Sequence, residues 1–281
     1  MKKKKKVKGM IIMTIVASLL GGCGSSKPET LKGTKIEYER LVKALDEGGM
    51  QTVMTPSDDG YAYVQEQGIY STYEEKEDGE HSKIIYQTTE GVYNTKDKSL
   101  YGDTTQSIVT DINNEKEAWT NKNYKKENVY STNIMYKKGQ GISSNQNLDV
   151  SNVKLIIDRL QGIGKLKPKD DRQGYDEPKR IYYSLTESQF QEIINNKLQL
   201  QYDKFRNATI SLYFTQAKDY KENPMEIDNI NIVINYDKKN EEGKMLSHIQ
   251  QIIVNFRDKE YNTQNAKTKY LEYEKSFNSN K

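Results

Sequence analysis

The chain has 281 residues, with 43 Lys and Arg against 40 Asp and Glu, one Cys, one Trp, two His and 21 Tyr. A single Cys excludes an internal disulfide framework and any multi-Cys metal or iron–sulfur site, and two His leave little room for a His-based metal or general-base centre. A mean hydropathy of −0.93 excludes a polytopic membrane protein. The first segment carries the strongest signal. Residues 2–6 and Lys8 are basic, and residues 10–20 form an almost unbroken apolar run. That run is roughly half the ~20 residues a helix needs to cross a bilayer, and it fits the hydrophobic region of an export signal. The basic end stays on the cytoplasmic side. Gly21 and Gly22, small residues ahead of the only Cys, let an extended backbone enter a narrow peptidase cleft.

Leu20-Gly21-Gly22-Cys23 resembles the lipobox of bacterial lipoprotein signal peptides, where Leu, a small residue, Gly or Ala, and Cys follow in that order. Gly21 departs mildly, since Ala or Ser is usual there. The resemblance implies cleavage between Gly22 and Cys23 and an N-palmitoyl and S-diacylglycerol cysteine at Cys23. It implies lipoprotein-processing enzymes and the membrane as partners. It also implies a lipid-anchored location on the extracytoplasmic face of a Gram-positive cell membrane. At ~0.8 kcal/mol per buried CH₂, two or more acyl chains hold a soluble domain essentially permanently. Losing the six Lys of residues 1–22 turns 43 basic residues against 40 acidic into 37 against 40, a balance of −3. The basicity is then a targeting signal, and no nucleic-acid partner is expected.

After the lipidated Cys, residues 23–33 read as a small, polar tether. Residues 34–47 read as a helix: Tyr38, Leu41, Val42 and Leu45 make one apolar stripe, Thr34 and Glu37 resemble a capping box, and Gly48-Gly49 stop it. From Met50 to Tyr136 the period moves towards two. β-rich runs at 61–64, 69–73, 83–88, 91–94 and 129–136 are separated by turn signals at Asp58-Asp59-Gly60, Asp78-Gly79 and 94–97. Residues 108–119 lean helical, and residues 137–146 read as a Gly/Ser/Asn loop. Val153, Ile156, Ile157 and Leu160 have helical spacing, with Gly162 as the stop and a charged linker over 164–178. Ile181, Tyr183 and Leu185 alternate as a strand. Thr186 and Gln189 then cap a helix that carries Phe190, Ile193 and Ile194. Three strands follow, on Ile210, Leu212 and Phe214, on Ile230, Ile232, Ile234 and Tyr236, and on Ile252, Val254 and Phe256. Residues 258–281 read as a polar tail or frayed helix.

Strands in runs with few helices argue for an α+β fold: an antiparallel, Tyr-rich curved sheet or half-barrel covered by a few helices, forming one domain over 34–257. This organisation is similar to the lipid-carrier lipoproteins of the LolA/LppX type and to Gram-positive lipoproteins sharing their open half-barrel. The similarity rests on the N-terminal helix, the Tyr-rich meander and the closing helix-plus-strands unit. It implies binding of an acyl chain or hydrophobic protein segment on a concave apolar face, with no binding residue carried over. The alternative is a cell-surface interaction lipoprotein, contacting another envelope protein, with no small ligand.

Catalytic and metal motifs fail on inspection. In Gly162-Ile163-Gly164-Lys165 a phosphate loop lacks its first Gly, and Leu166 stands where Ser or Thr must ligate Mg²⁺. Asp58-Asp59-Gly60 lacks the alternating ligands and closing Glu of a calcium loop. Glu74, Glu75, Glu77, Asp78 and Glu80 fall at a hairpin tip, where carboxylates are not held at a fixed separation. His81 beside them and His248 beside Ser247 form no triad. Tyr61, Tyr63, Tyr70, Tyr73, Tyr86, Tyr93 and Tyr101 read as ordinary sheet surface. Ile69-Tyr70-Ser71-Thr72 and Val129-Tyr130-Ser131-Thr132 look like an internal hairpin repeat. No catalytic residue, metal ligand or cofactor is expected.

Overall fold

Alternating apolar and polar residues build nine strands into one sheet, in a computed structural model that describes residues 28–113, 123–156, 160–168, 179–214 and 225–280. Leu20, Gly21, Gly22 and Cys23 lie outside the described residues. The strands are β1 (Tyr61–Lys76), β2 (Gly79–Asn94), β3 (Ser99–Asn113), β4 (Lys125–Lys137), β5 (Gln140–Ser143), β6 (Lys179–Leu185), β7 (Lys204–Phe214), β8 (Ile227–Lys239) and β9 (Met245–Phe256). Their order is β5-β4-β3-β2-β1-β9-β8-β7-β6, and all pairs are antiparallel. Two meanders, one from each half of the chain, are therefore joined by the pairing of β1 with β9. The fold is α+β, with a curved open sheet.

The inner face carries the main core. Ala62 and Val64 of β1, Ile230, Ile232 and Ile234 of β8, and Ile252 and Val254 of β9 all point into it. Helix α1 (Pro28–Glu47) lays Tyr38, Leu41 and Leu45 on it, and α2 (Met50–Val53) adds Met50 and Val53. Tyr38 meets Phe214 edge-on, with ring centroids 4.8 Å apart. Gly91 and Gly102 face each other across β2 and β3, and a Cβ on either would collide with a carbonyl oxygen of the facing strand, Tyr101 or Glu90.

Several expectations need correction. The tether reading of residues 23–33 runs too far, because α1 begins at Pro28, a residue suited to a first helical turn. Residues 108–113 belong to β3, where Ile108 and Ile112 alternate with Val109 and Asp111, and the rest of the 108–119 stretch lies outside the described residues from 114 on. The 137–146 loop contains β5, whose Gly141 pairs with Tyr136.

Residues 153–156 form no helix. Their amides go to side chains on the sheet: Leu155 N donates to the Tyr136 hydroxyl at 3.2 Å, and Ile156 N to Glu66 Oε2 at 2.8 Å. Val153, Leu155 and Ile156 are all buried, so the apolar spacing belongs to a strap lying on the core. Residues 157–159 lie outside the described set. Gly162 does hold a left-handed conformation, φ 95°, but it leads into a 3₁₀ turn at Ile163–Lys165 rather than ending a helix.

The Thr186–Gln189 capping box forms as expected, opening α3 (Glu187–Phe190). The chain then continues as a π-helical stretch at Gln191–Asn195 and ends in α4 (Asn196–Leu198).

Residues 258–281 are not a polar tail. Asp258 caps α5 (Lys259–Tyr261) by accepting from Tyr261 N at 2.8 Å, a π stretch follows at Asn262–Ala266, and α6 (Lys267–Ser279) runs across the outer face of β2, β3 and β4. Its stripe is Asn262, Ala266, Tyr270, Tyr273 and Phe277, a helical spacing in which only Ala and Phe are plainly apolar. Tyr61, Tyr63, Val92 and Tyr101 receive it. Tyr270 lies with its ring centroid 5.0 Å from Tyr61 and 5.3 Å from Tyr101. Asn262 is fully buried. Its Oδ1 accepts from Tyr63 N at 2.9 Å, and its Nδ2 donates to the carbonyls of Met54, Thr55 and Arg257. It serves the backbone of β1 just beyond the last β9 pairing, Val64 with Phe256.

Candidate ligand-binding face

Strands of 15–16 residues run about 50 Å, and the helices cover only one end of them. In β1 the inner positions are buried from Ala62 to Gly68, and the alternation then fades towards Lys76. In β2 burial is concentrated in the last residues before Asn94. The uncovered part of the inner face has a legible register. One row crosses Ile234, Gln250, Tyr70, Ile85 and Ile108, and the next Tyr236, His248, Thr72, Lys83 and Thr110; beyond them Lys238 pairs with Leu246, Glu74 with His81, and His81 with Ile112.

Two hollows lie on this surface. The outer one is a cleft of about 640 Å³ bounded by Thr72, Glu74, His81, Lys83, Thr110 and Lys125. It mixes cations, carboxylates and hydroxyls with the apolar side chains of Ile112 and Leu246. Glu74 at its rim is clamped by Lys244 at 2.7 Å and Lys76 at 3.3 Å, and these contacts hold its carboxyl below the usual range. His81 binds Asp78 at 2.8 Å. His248 stacks on Tyr236, with centroids 5.0 Å apart and rings 4° from parallel, and meets Thr72 Oγ1 at 3.1 Å. Burial first, then the charge of Lys238, holds the His248 imidazole below its ordinary pKa, against a smaller opposing pull from Asp237.

The inner hollow is smaller, about 260 Å³, and lies where the sheet meets the residues after α4 and the strap at 152–154. Tyr70, Gln87, Gln106 and Gln250 come up from the sheet; Lys154, Leu198 and Leu200 close it from above. Burial, then the nearby carboxylate of Glu66 and the hydroxyls of Tyr130 and Tyr236, pushes the Tyr70 hydroxyl up to about 12. It stays a neutral hydrogen-bonding group at any working pH. Tyr70 and Tyr130, the matching positions of the two similar tetrapeptides, lie on β1 and β4, which are separated by β2 and β3 and are not hairpin partners.

The outer face is polar and self-satisfied by comparison. Asn229 Nδ2 donates to Asn255 Oδ1 at 2.6 Å, Asn255 Nδ2 to Gln65 Oε1 at 3.2 Å, and Gln65 Nε2 to Glu90 Oε2 at 3.1 Å, a ladder across four strands. The remaining sequence motifs are structural. Gly60 turns with φ 93°, while Asp58 and Asp59 pair with Lys259 and Lys267 and so pin the C-terminal helices. Tyr93 is in the main core; Tyr61, Tyr63 and Tyr101 lie under α6; Tyr73 and Tyr86 are half-buried on the outer face. Among the described residues no group of three or more His, Cys, Asp and Glu could hold a metal ion, and no helix is long and apolar enough to cross a membrane.

Sequence reasoning passed over the inner hollow. The available signal was a polar residue in a core register: Gln250 breaks the series Ile252, Val254, Phe256, and Tyr70 follows Ala62, Val64, Glu66 and Gly68.

Comparison with known proteins adds little chemistry. Residues 18–129 match the model of a family described as a domain of unknown function, DUF3952. No curated protein matches. A solved structure titled "Lipid-protein interactions in lipovitellin" overlaps with a TM-score of 0.37 and 7% identity over 71% of this chain and 25% of that one. The chain spans a quarter of that structure's length, and the likeness carries no argument.

Proposed function

We propose that the protein is an extracytoplasmic, membrane-anchored lipoprotein that works by binding rather than catalysis and holds its ligand on the inner face of the sheet. The observation that carries the binding reading is the thinly covered half of that face: the strands outrun the helices and leave Tyr70, Thr72 and Ile85 only partly buried around two hollows. A sheet face left unpacked is costly unless something occupies it. The anchoring reading is supported by Leu20-Gly21-Gly22-Cys23 after a basic and then apolar leader. In the Cys23→Ala variant, membrane retention should be lost and the precursor left uncut. Metabolic labelling with a clickable fatty acid that still tagged this variant would contradict the anchor.

A second reading, a surface lipoprotein that binds another envelope protein and no small ligand, is favoured by one feature. The outer edge of β4 is paired only at 134–137, by β5, and among the described residues no strand lies beside 125–132. Val129, the extra residue where the β3–β4 register shifts, is 43% exposed there. Such an edge can accept an extended peptide. Mass spectrometry of small molecules released from the purified protein separates the two readings.

A further inference from the structure

The outer face of the sheet divides into a part that bonds to itself and a part that does not. The amide ladder ends at Glu90, which also takes the Tyr63 hydroxyl at 3.0 Å, and Asp103 opposite it accepts from Asn133 Nδ2 at 2.6 Å. The next row away from α6 crosses Gln67, Thr88, Thr105 and Ser131, and the row after it Ile69, Tyr86, Ser107 and Asn128. A hollow of about 360 Å³ lies on these rows, bounded by Gln67, Tyr86, Thr88, Thr105, Ser107 and Tyr124. Among the described residues, none of these six side chains has a hydrogen-bond partner. All six reach solvent, so their polar groups are open to a ligand.

Charge is missing from both rows. Followed through β1, β9, β8 and β7 to their ends at Tyr182 and Ser184 on β6, neither row meets a charged residue. The chain as a whole is 30% charged. The thinly covered rows of the inner face, by contrast, hold Glu74, His81, Lys83 and Lys125.

The lining selects among ligands. An acyl chain would strand the hydroxyls and the Gln67 amide, and Val109 beneath them is only 6% exposed. A cation finds no carboxylate in the hollow, and an anion finds only Lys126. Hydroxyls and amides both donate and accept, which matches a ligand whose own groups do both. Neighbouring strands lie about 4.8 Å apart, close to the length of one ring in an extended glycan. Successive sugars of a chain crossing the strands therefore meet successive strands in the same register.

We propose that the outer face binds a neutral glycan chain that crosses β1–β4 and seats a ring in this hollow. The site is separate from the inner face and does not depend on what that face holds.

The full chain, purified in a detergent without sugar groups, can be titrated with neutral tetrasaccharides of glucose and of N-acetylglucosamine, with oligogalacturonate and oligoglucosamine as charged counterparts. Calorimetry reads affinity, and methyl NMR of threonine-labelled protein reads which face is touched. At least one neutral tetrasaccharide should bind saturably, more tightly than its monosaccharide and than either charged oligomer. The methyl signals of Thr88 and Thr105 should move, while those of Thr72 and Thr110 on the inner face stay in place. Joint substitution Thr88→Val and Thr105→Val keeps shape but removes two hydroxyls, and should weaken binding about tenfold or more. Thr105→Glu, at an exposed position, should abolish it. The proposal is overturned by no binding of any neutral tetrasaccharide, by tighter binding of a charged oligomer, by shifts confined to Thr72 and Thr110, or by affinity unchanged in both variants. Thr88 and Thr105 signals that respond to a neutral peptide such as tetraserine and to no saccharide would overturn it too. If the valine pair folds poorly, the threonine shifts of the unaltered chain and the Thr105→Glu titration still decide.

Discussion

Each of the long strands β1, β2 and β3 passes through two regions that differ in what lies on them. Near Ala62, Tyr93 and Leu100 the inner face is sealed by α1, α2 and the buried residues of 150–156 and 160–163, and the outer face by α6. Near Thr72, Lys83 and Thr110 the inner face opens into the 640 Å³ cleft, although the hydrogen-bond ladder continues unbroken to Lys76–Gly79. Backbone pairing alone does not make a core. Stability follows the buried apolar side chains, and the bare half is held in place by its continuity with the covered half. This gives the molecule a rigid base and an accessible surface on the same strands.

The comparison can be broken most sharply by paired truncations. Phe214→Ala in the covered region should cost about 3–5 kcal/mol, whereas Ile249→Ala, 38% exposed on the bare region, should change stability by less than about 0.5 kcal/mol. Urea denaturation reads both, and similar losses would erase the distinction.

Next in size is Asn262→Ala. It leaves Tyr63 N–H and the carbonyls of Met54, Thr55 and Arg257 without their partner and should cost about 2–3 kcal/mol. Limited proteolysis should then cut within α6 before the sheet opens. Cutting in the sheet first would show that α6 is not the separate layer described.

A smaller effect belongs to pH. The folded-state pKa of His248 lies below that of the unfolded chain. Between those two values the unfolded chain binds more protons, so stability rises with pH across that window and is lost as pH falls below about 6.5. His248→Gln should flatten the fall between about pH 7 and pH 5, read from denaturation midpoints. An unchanged slope would assign the effect elsewhere. The smallest expected change is for Lys244→Ala. It removes a clamp on Glu74 at the rim and should leave the denaturation midpoint nearly unchanged, with less effect still at high salt.

Much of the fold was legible because strands with one buried face print their register. Ile210, Leu212 and Phe214, and the two series after them, point inward as their alternation requires. The Thr186–Gln189 cap was legible because both partners are local. Residues 153–156 misled because an irregular strap lying on a core buries helically spaced residues as readily as a helix does. The C-terminal helix was missed because Asn262, Tyr270 and Tyr273 count as polar by composition yet make its buried stripe. Its partners, Tyr61 and Tyr101, lie more than 150 residues away. The inner hollow was missed for the same reason, since Gln250 gains its meaning only when β9 is laid beside β1.

Amide hydrogen exchange along β1 tests the division of the sheet most directly. The account predicts that amides from Ala62 to Gly68 exchange only through global unfolding, while those from Thr72 to Lys76 exchange by local opening, although both stretches are paired with β2. Uniform, globally limited protection from Ala62 to Lys76 would contradict it.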